Sequence, residues 1–134
     1  VTRGLKIFDK IFISLGNNPK KDRYFNVSLI KEKIDNLYID NSKINVINYN
    51  KLTASLAKDL NANFILRGLR NTTDFEFENS ISQINKDLNS NLETVFLITS
   101  PKLAPISSTI IRDVIRYGGD INKYLPYKIK LDEK

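Results

Sequence analysis

Two arginines stand three residues apart in Arg67-Gly68-Leu69-Arg70, and two carboxylates, Asp74 and Glu78, follow one helical turn apart. A guanidinium offers planar N–H forks that hold phosphate oxygens two at a time, and a carboxylate beside it can orient it or contact a ribose. Further toward the N-terminus lie Lys20, Lys21 and Arg23. Toward the C-terminus, Ser107-Ser108-Thr109 precedes an apolar helical pattern, where free backbone N–H groups and hydroxyls make an anion site. Each feature also has an ordinary explanation. A lysine pair can be a solvated charge run, a strand-terminal arginine can pair with a carboxylate such as Asp74, and Ser-Ser-Thr can simply cap a helix. Together they suit a polyphosphate, and a nucleoside triphosphate suits them best.

The 134 residues contain no cysteine and no histidine. This excludes disulfides, thiolate metal sites, a cysteine nucleophile and the commonest general base, leaving chemistry to Lys, Arg, Asp, Glu, Ser and Thr. Neither G-x-x-x-x-G-K-[ST] nor G-x-G-x-x-G occurs, which removes the commonest nucleotide hydrolases and dinucleotide oxidoreductases. Neither carboxylate belongs to a metal-ligand cluster, so no protein-held metal is expected. The 21 basic and 15 acidic residues give a net charge of +6, which favours an anionic partner. The lysines are mixed with acids rather than gathered into a stripe, so nucleic acid is not the expected partner. No apolar run approaches the roughly 20 residues a bilayer requires, and there is no signal-peptide pattern. The expectation is one soluble domain over residues 1–134, without membrane association.

The elements that would carry these residues alternate. Residues 1–8 read as the last turns of a helix, and with no methionine in the chain, residues are expected to precede Val1. Ile11-Phe12-Ile13 with Leu15 reads as a buried strand ended by Gly16-Asn17-Asn18-Pro19. Asn26 caps a helix carrying Ile30, Ile34 and Leu37. Residues 44–49 form a second strand and 52–60 a second helix, and Phe64-Ile65-Leu66 opens a third strand ending at Arg67-Gly68. Asp74 would cap a long helix with Phe77, Ile81, Ile84 and Leu88 on its apolar face. Residues 94–98 form a fourth strand. A helix capped by Ser107 or Ser108 then carries Ile111, Val114 and Ile115 up to Gly118-Gly119. This alternation predicts an α/β fold, a Rossmann-like parallel sheet with helices on both faces. In such folds ligands bind beyond the carboxyl ends of strands, where all three loaded loops are expected to meet.

Two segments resemble a known family. Ile106-Ser107-Ser108-Thr109-Ile110-Ile111-Arg112 is similar to the Ile-Ser-Ser-Ser/Thr-x-x-Arg signature of the nucleotidylyltransferase superfamily. The segment from Arg67 through Asp74-Phe75-Glu76-Phe77-Glu78 resembles R-G-L-R-x-x-x-D-F-E-Y-E of bacterial phosphopantetheine adenylyltransferases. The likeness continues through Asn18-Pro19-Lys20-Lys21, Phe25, Asn85, 93–97 and Gly118-Gly119-Asp120. It implies a cytoplasmic enzyme that joins ATP to 4'-phosphopantetheine, giving dephospho-coenzyme A and pyrophosphate in coenzyme A synthesis. By resemblance, Lys21 and Arg67 hold the attacking phosphate and are the catalytic residues. Thr53, Ile81 and Asn85 line the pantetheine arm. Gly68, Leu69, Arg70 and Glu78, with Leu103, Ala104, Pro105, Ile106, Ser107, Ser108 and Thr109, bind ATP. Mg2+ arrives with the nucleotide, coenzyme A is a possible feedback ligand, and a homohexamer is the implied assembly.

The sequence also departs from the family. Its Gly-x-Phe-Asp-Pro loop and Thr-x-Gly-His motif, with the histidine that stabilises the transition state, would fall before Val1. The N-terminal strand is thus expected to be absent from residues 1–134, which by themselves are expected to be poorly active or inactive. Asp22 and Arg23 stand where Lys-Pro is frequent, Phe77 replaces the usual Tyr, and Leu103 replaces an aromatic. The rival readings are another small-molecule nucleotidylyltransferase, such as a nicotinate mononucleotide adenylyltransferase or a cytidylyltransferase, and a nonenzymatic basic module that binds nucleotide or RNA. The Arg67 to Glu78 segment speaks against the first, and the lack of aromatics interleaved with lysines speaks against the second.

Overall fold

Strand and helix alternate along the chain in the computed structural model, which describes residues 1–17 and 23–130. The order is β1 (Ile11–Gly16), α1 (Val27–Leu37), β2 (Ile44–Tyr49), α2 (Thr53–Asp59), β3 (Phe64–Leu69), α3 (Thr72–Leu88), β4 (Glu93–Ile98) and α4 (Ser108–Arg116). Single 3-10 turns at Gly4–Lys6 and Asn122–Tyr124 flank this series. β1 pairs with β2 in parallel, from Ile11 opposite Ile44 to Gly16 opposite Tyr49. β3 pairs with β4 in the same sense, from Phe64 opposite Glu93 to Leu69 opposite Ile98. Parallel neighbours need a crossover, and α1 and α3 supply the two. The α/β class and the parallel strands expected from the alternation are therefore present.

Contacts divide the chain into two compact units, Val1–Asn50 with Ile106–Lys134, and Lys51–Pro105, each built on one strand pair. In the first, the apolar face of α4 drives packing: Ile115, Ile121 and Ile129 form a buried cluster joined by Tyr24, Phe25, Leu29, Ile30, Ile111 and Val114. α4 stops in a Schellman turn. Gly118 takes φ +74°, its N–H reaches the Ile115 carbonyl, and the Gly119 N–H reaches Val114. In the second unit Ala54, Ala57 and Leu92 are buried together against Ala62 and Ile65.

Three local expectations need correction. Gly4–Lys6 makes a single 3-10 turn rather than the end of an α-helix. β3 runs through Leu69 instead of stopping at Arg67-Gly68, because its ladder with β4 continues to the Leu69–Ile98 pair. The cap of α3 is Asn71, whose Oδ1 accepts the Asp74 N–H at 2.8 Å, so Asp74 lies in the first turn with its carboxylate free for other duty.

The apolar stripe of α3 also faces the unexpected way. Phe77, Ile81, Ile84 and Leu88 are all exposed, at 67, 38, 62 and 52%. The more sheltered positions are Asp74, Glu78, Ser82, Asn85 and Asn89, which recur at helical spacing and end in buried Asn85. The carboxylates of the helix meet arginines at the end of β3, and four large apolar side chains lie outward.

Candidate functional site

β3 ends where its last residues change character. Leu69 is buried and anchors the strand, while Arg67, Gly68 and Arg70 around it are exposed. Gly68 sits open beside Thr99, whose Oγ1 would lie 3.8 Å from an added Cβ, and the Thr99 N–H holds the Leu69 carbonyl at 2.8 Å. The carboxyl ends of β3 and β4 are thereby tied together, and α3 begins directly beyond them.

Each arginine here meets a carboxylate of α3. Arg67 Nε donates to Glu78 Oε2 at 2.7 Å and its Nη2 to Glu78 Oε1, a bidentate fork. The Glu78 side chain is sheltered, at 14% exposure, whereas that of Arg67 is 47% exposed. The carboxylate therefore holds the guanidinium from the sheltered side. Arg70 Nε and Nη2 donate to Asp74 Oδ2 and Oδ1, both at 2.9 Å, and the Arg70 backbone N–H adds a third bond to Oδ2 at 3.0 Å. Hydrogen bonds from the Arg70 side chain and then its backbone hold the Asp74 carboxyl below the usual carboxylate range, and the same pairing raises Arg70.

Gly68, Arg70, Thr73, Asp74, Phe77 and Glu78 line one open cavity of about 450 Å³. A planar aromatic, the Arg70–Asp74 pair, the Glu78 carboxylate and an unobstructed glycine can accommodate a base and its phosphates. Of the residues expected to bind ATP, Gly68, Arg70 and Glu78 meet in this cavity, and Leu69 lies buried behind it. Arg67 joins them through Glu78. Leu103 and Ala104 lie in a turn closed by the Ser100 carbonyl, with Leu103 exposed, and Pro105 follows. Among the pantetheine-arm residues, Thr53 opens α2 half-buried, Ile81 lies on the outward stripe of α3, and Asn85 one turn later is buried. Among the described residues the Asn85 side-chain amide has no hydrogen-bond partner. A buried amide in that state is costly unless something fills its valences.

The remaining expected residues belong to the first unit. Ile106 precedes the cap of α4, Ser107 is the cap, with its Oγ accepting the Ile110 N–H at 3.2 Å, and Ser108 and Thr109 form the exposed first turn. Arg23 Nη2 donates to the Gly16 carbonyl at the end of β1. Lys20 and Lys21 lie outside the described residues.

The ATP-binding set implied by the resemblance does not include Asp74, Thr73 and Phe77, which line the cavity. Asp74 stands four residues after Arg70 and Phe77 three after Asp74, a helical spacing that could have put them on the cavity side. Among the described residues no group of three or more His, Cys, Asp or Glu is arranged to hold a metal, and no helix is long and apolar enough to cross a membrane.

A family model described as cytidylyltransferase-like matches residues 1–114. The phosphopantetheine adenylyltransferase of Cytophaga hutchinsonii is 54% identical over 129 residues, 96% of this chain and 86% of that protein. That of Flavobacterium johnsoniae is 44% identical over 131 residues, 98% and 86% of the two chains. That of Prochlorococcus marinus subsp. pastoris is 37% identical over 134 residues, 100% and 84%. With two arginine–carboxylate pairs at the end of a parallel strand, a serine-capped α4 and this extent of identity, the chain belongs to the cytidylyltransferase-like family and, within it, to the phosphopantetheine adenylyltransferases.

Proposed function

We propose that the protein transfers the adenylyl group of ATP to 4'-phosphopantetheine, releasing pyrophosphate and dephospho-coenzyme A. The observation that carries this reading is the cavity at the end of β3, where the oriented guanidinium of Arg70 stands beside Gly68 and Phe77 and the lining carboxylate of Glu78 holds Arg67. An oxygen of the acceptor phosphate attacks the α-phosphorus, the bond from that phosphorus to the bridging oxygen breaks, and pyrophosphate carries the electron pair away. Such a transfer needs alignment and charge neutralisation more than covalent help, which guanidiniums and helix-end amides supply. Arg67 and Lys21 hold the attacking phosphate. Gly68, Leu69, Arg70, Glu78 and residues 103–109 hold the nucleotide, which enters as its magnesium complex. The two cavity carboxylates are taken up by arginines, which agrees with a metal that travels on the triphosphate.

Thr53, Ile81 and Asn85 take the pantetheine arm. The unpartnered amide of buried Asn85 supports this, because an arm carrying amides of its own would satisfy it. Coenzyme A shares that arm and would compete there as a feedback ligand. The outward stripe of α3 supports assembly into a homo-oligomer, the homohexamer of the family, since four large exposed apolar side chains on one face mark an interaction surface. The protein acts in the cytoplasm. Incubation with ATP labelled at the α-phosphorus tests the reaction: label should pass into dephospho-coenzyme A, whereas label in free AMP or ADP would make the protein a hydrolase instead.

A further inference from the structure

Asp74 spends its whole carboxylate on one residue. Oδ2 accepts both the backbone N–H and Nε of Arg70, and Oδ1 accepts Nη2, all between 2.9 and 3.0 Å. The cap of α3 is already provided by Asn71, so the helix start does not require this carboxylate. An exposed i,i+4 ion pair also adds little to a fold. The effect is on the arginine. A guanidinium has five N–H groups, and the fork to Asp74 uses the Nε edge, so the edge shared by Nη1 and Nη2 remains to bind another anion in the same bidentate manner. The backbone bond fixes the point from which the side chain departs. Both residues line the cavity.

We propose that Asp74 is a positioning residue, which turns the free edge of Arg70 toward the polyphosphate of the nucleotide. The mutual shift of the pair, Asp74 lowered and Arg70 raised, agrees with a contact that stays charged through the working pH range. The proposal rests on the reading that Arg70 binds the nucleotide phosphates, and the test separates the two.

The protein expressed from its full reading frame would be compared as Asp74→Asn, Arg70→Ala and the double variant, by calorimetric titration with Mg-ATP and with AMP and by steady-state kinetics. Asp74→Asn should weaken Mg-ATP roughly tenfold or more and AMP less than about twofold, and should add less than about twofold once Arg70 is alanine. KM for ATP should rise while KM for 4'-phosphopantetheine and the melting temperature stay near wild type. Equal losses for ATP and AMP, or an undiminished effect in the Arg70→Ala background, would overturn the proposal in favour of a purely structural role. An effect of Arg70→Ala with none from Asp74→Asn would overturn it while leaving Arg70 as the ligand. Indifference of ATP to Arg70→Ala would remove the underlying reading, and the proposal with it.

Discussion

At the scale of single residues, the account assigns different work to cations that look alike in the sequence. Arg67 is forked onto sheltered Glu78 beside the cavity, while Lys31 pairs with Asp35 along the surface of α1. Arg67→Ala should therefore cost about 2 to 4 kcal/mol of transition-state stabilisation, read as a fall in kcat/KM, and Lys31→Ala less than about 0.5 kcal/mol. Equal small effects would remove Arg67 from the site. The Asp74 carboxyl is held below its unfolded value of about 3.9 by its bonds from Arg70, so the pair stabilises the fold fully above that pH. The contribution is lost as pH falls through the lower folded value. Asp74→Asn should accordingly lower stability slightly at neutral pH, as an exposed pair allows, and lessen the steepness of acid unfolding below about pH 4, both measured by circular dichroism. Arginine and carboxylate types at helical spacing announced an anion site in advance. Which carboxylate serves which arginine was open, because Asp74 and Glu78 both lie within reach of the loop and backbone geometry decides between them.

At the scale of elements, β2 and the caps at Asn26 and Ser107 lie where apolar runs and polar starts place them. Such signals are local, so sequence reveals them. α3 shows where local reasoning stops. Its stripe at 77, 81, 84 and 88 reads as a core face by period alone, yet the sheltered side is polar and carries the carboxylates that pair with Arg67 and Arg70, residues 11 and 4 positions away. The cap is likewise Asn71 rather than Asp74, two plausible capping residues three positions apart. Asn71→Ala should remove the Asp74 N–H partner, cost about 0.5 to 2 kcal/mol of stability in a denaturant titration, and loosen the Asp74 contact to Arg70 that the cap positions. A loss of stability indistinguishable from zero would show that α3 does not depend on this cap.

At the scale of the whole molecule, the +6 charge of residues 1–134 is consistent with substrates that are both phosphorylated. The α/β class follows from the alternation of elements. The grouping of strands into two parallel pairs does not, since pairing partners are set by contacts distant in sequence. The exposed face of α3 was equally hidden, and it bears on assembly. Phe77→Glu with Ile84→Glu should shift the protein to smaller species in sedimentation velocity, whereas an unchanged distribution would place the subunit contacts elsewhere.

The most direct test of the central claim is pyrophosphate release by the protein expressed from its full reading frame, with Mg-ATP and either 4'-phosphopantetheine or nicotinate mononucleotide as acceptor. The account predicts turnover with 4'-phosphopantetheine and none with the mononucleotide. Turnover with nicotinate mononucleotide, or with neither acceptor, would contradict it.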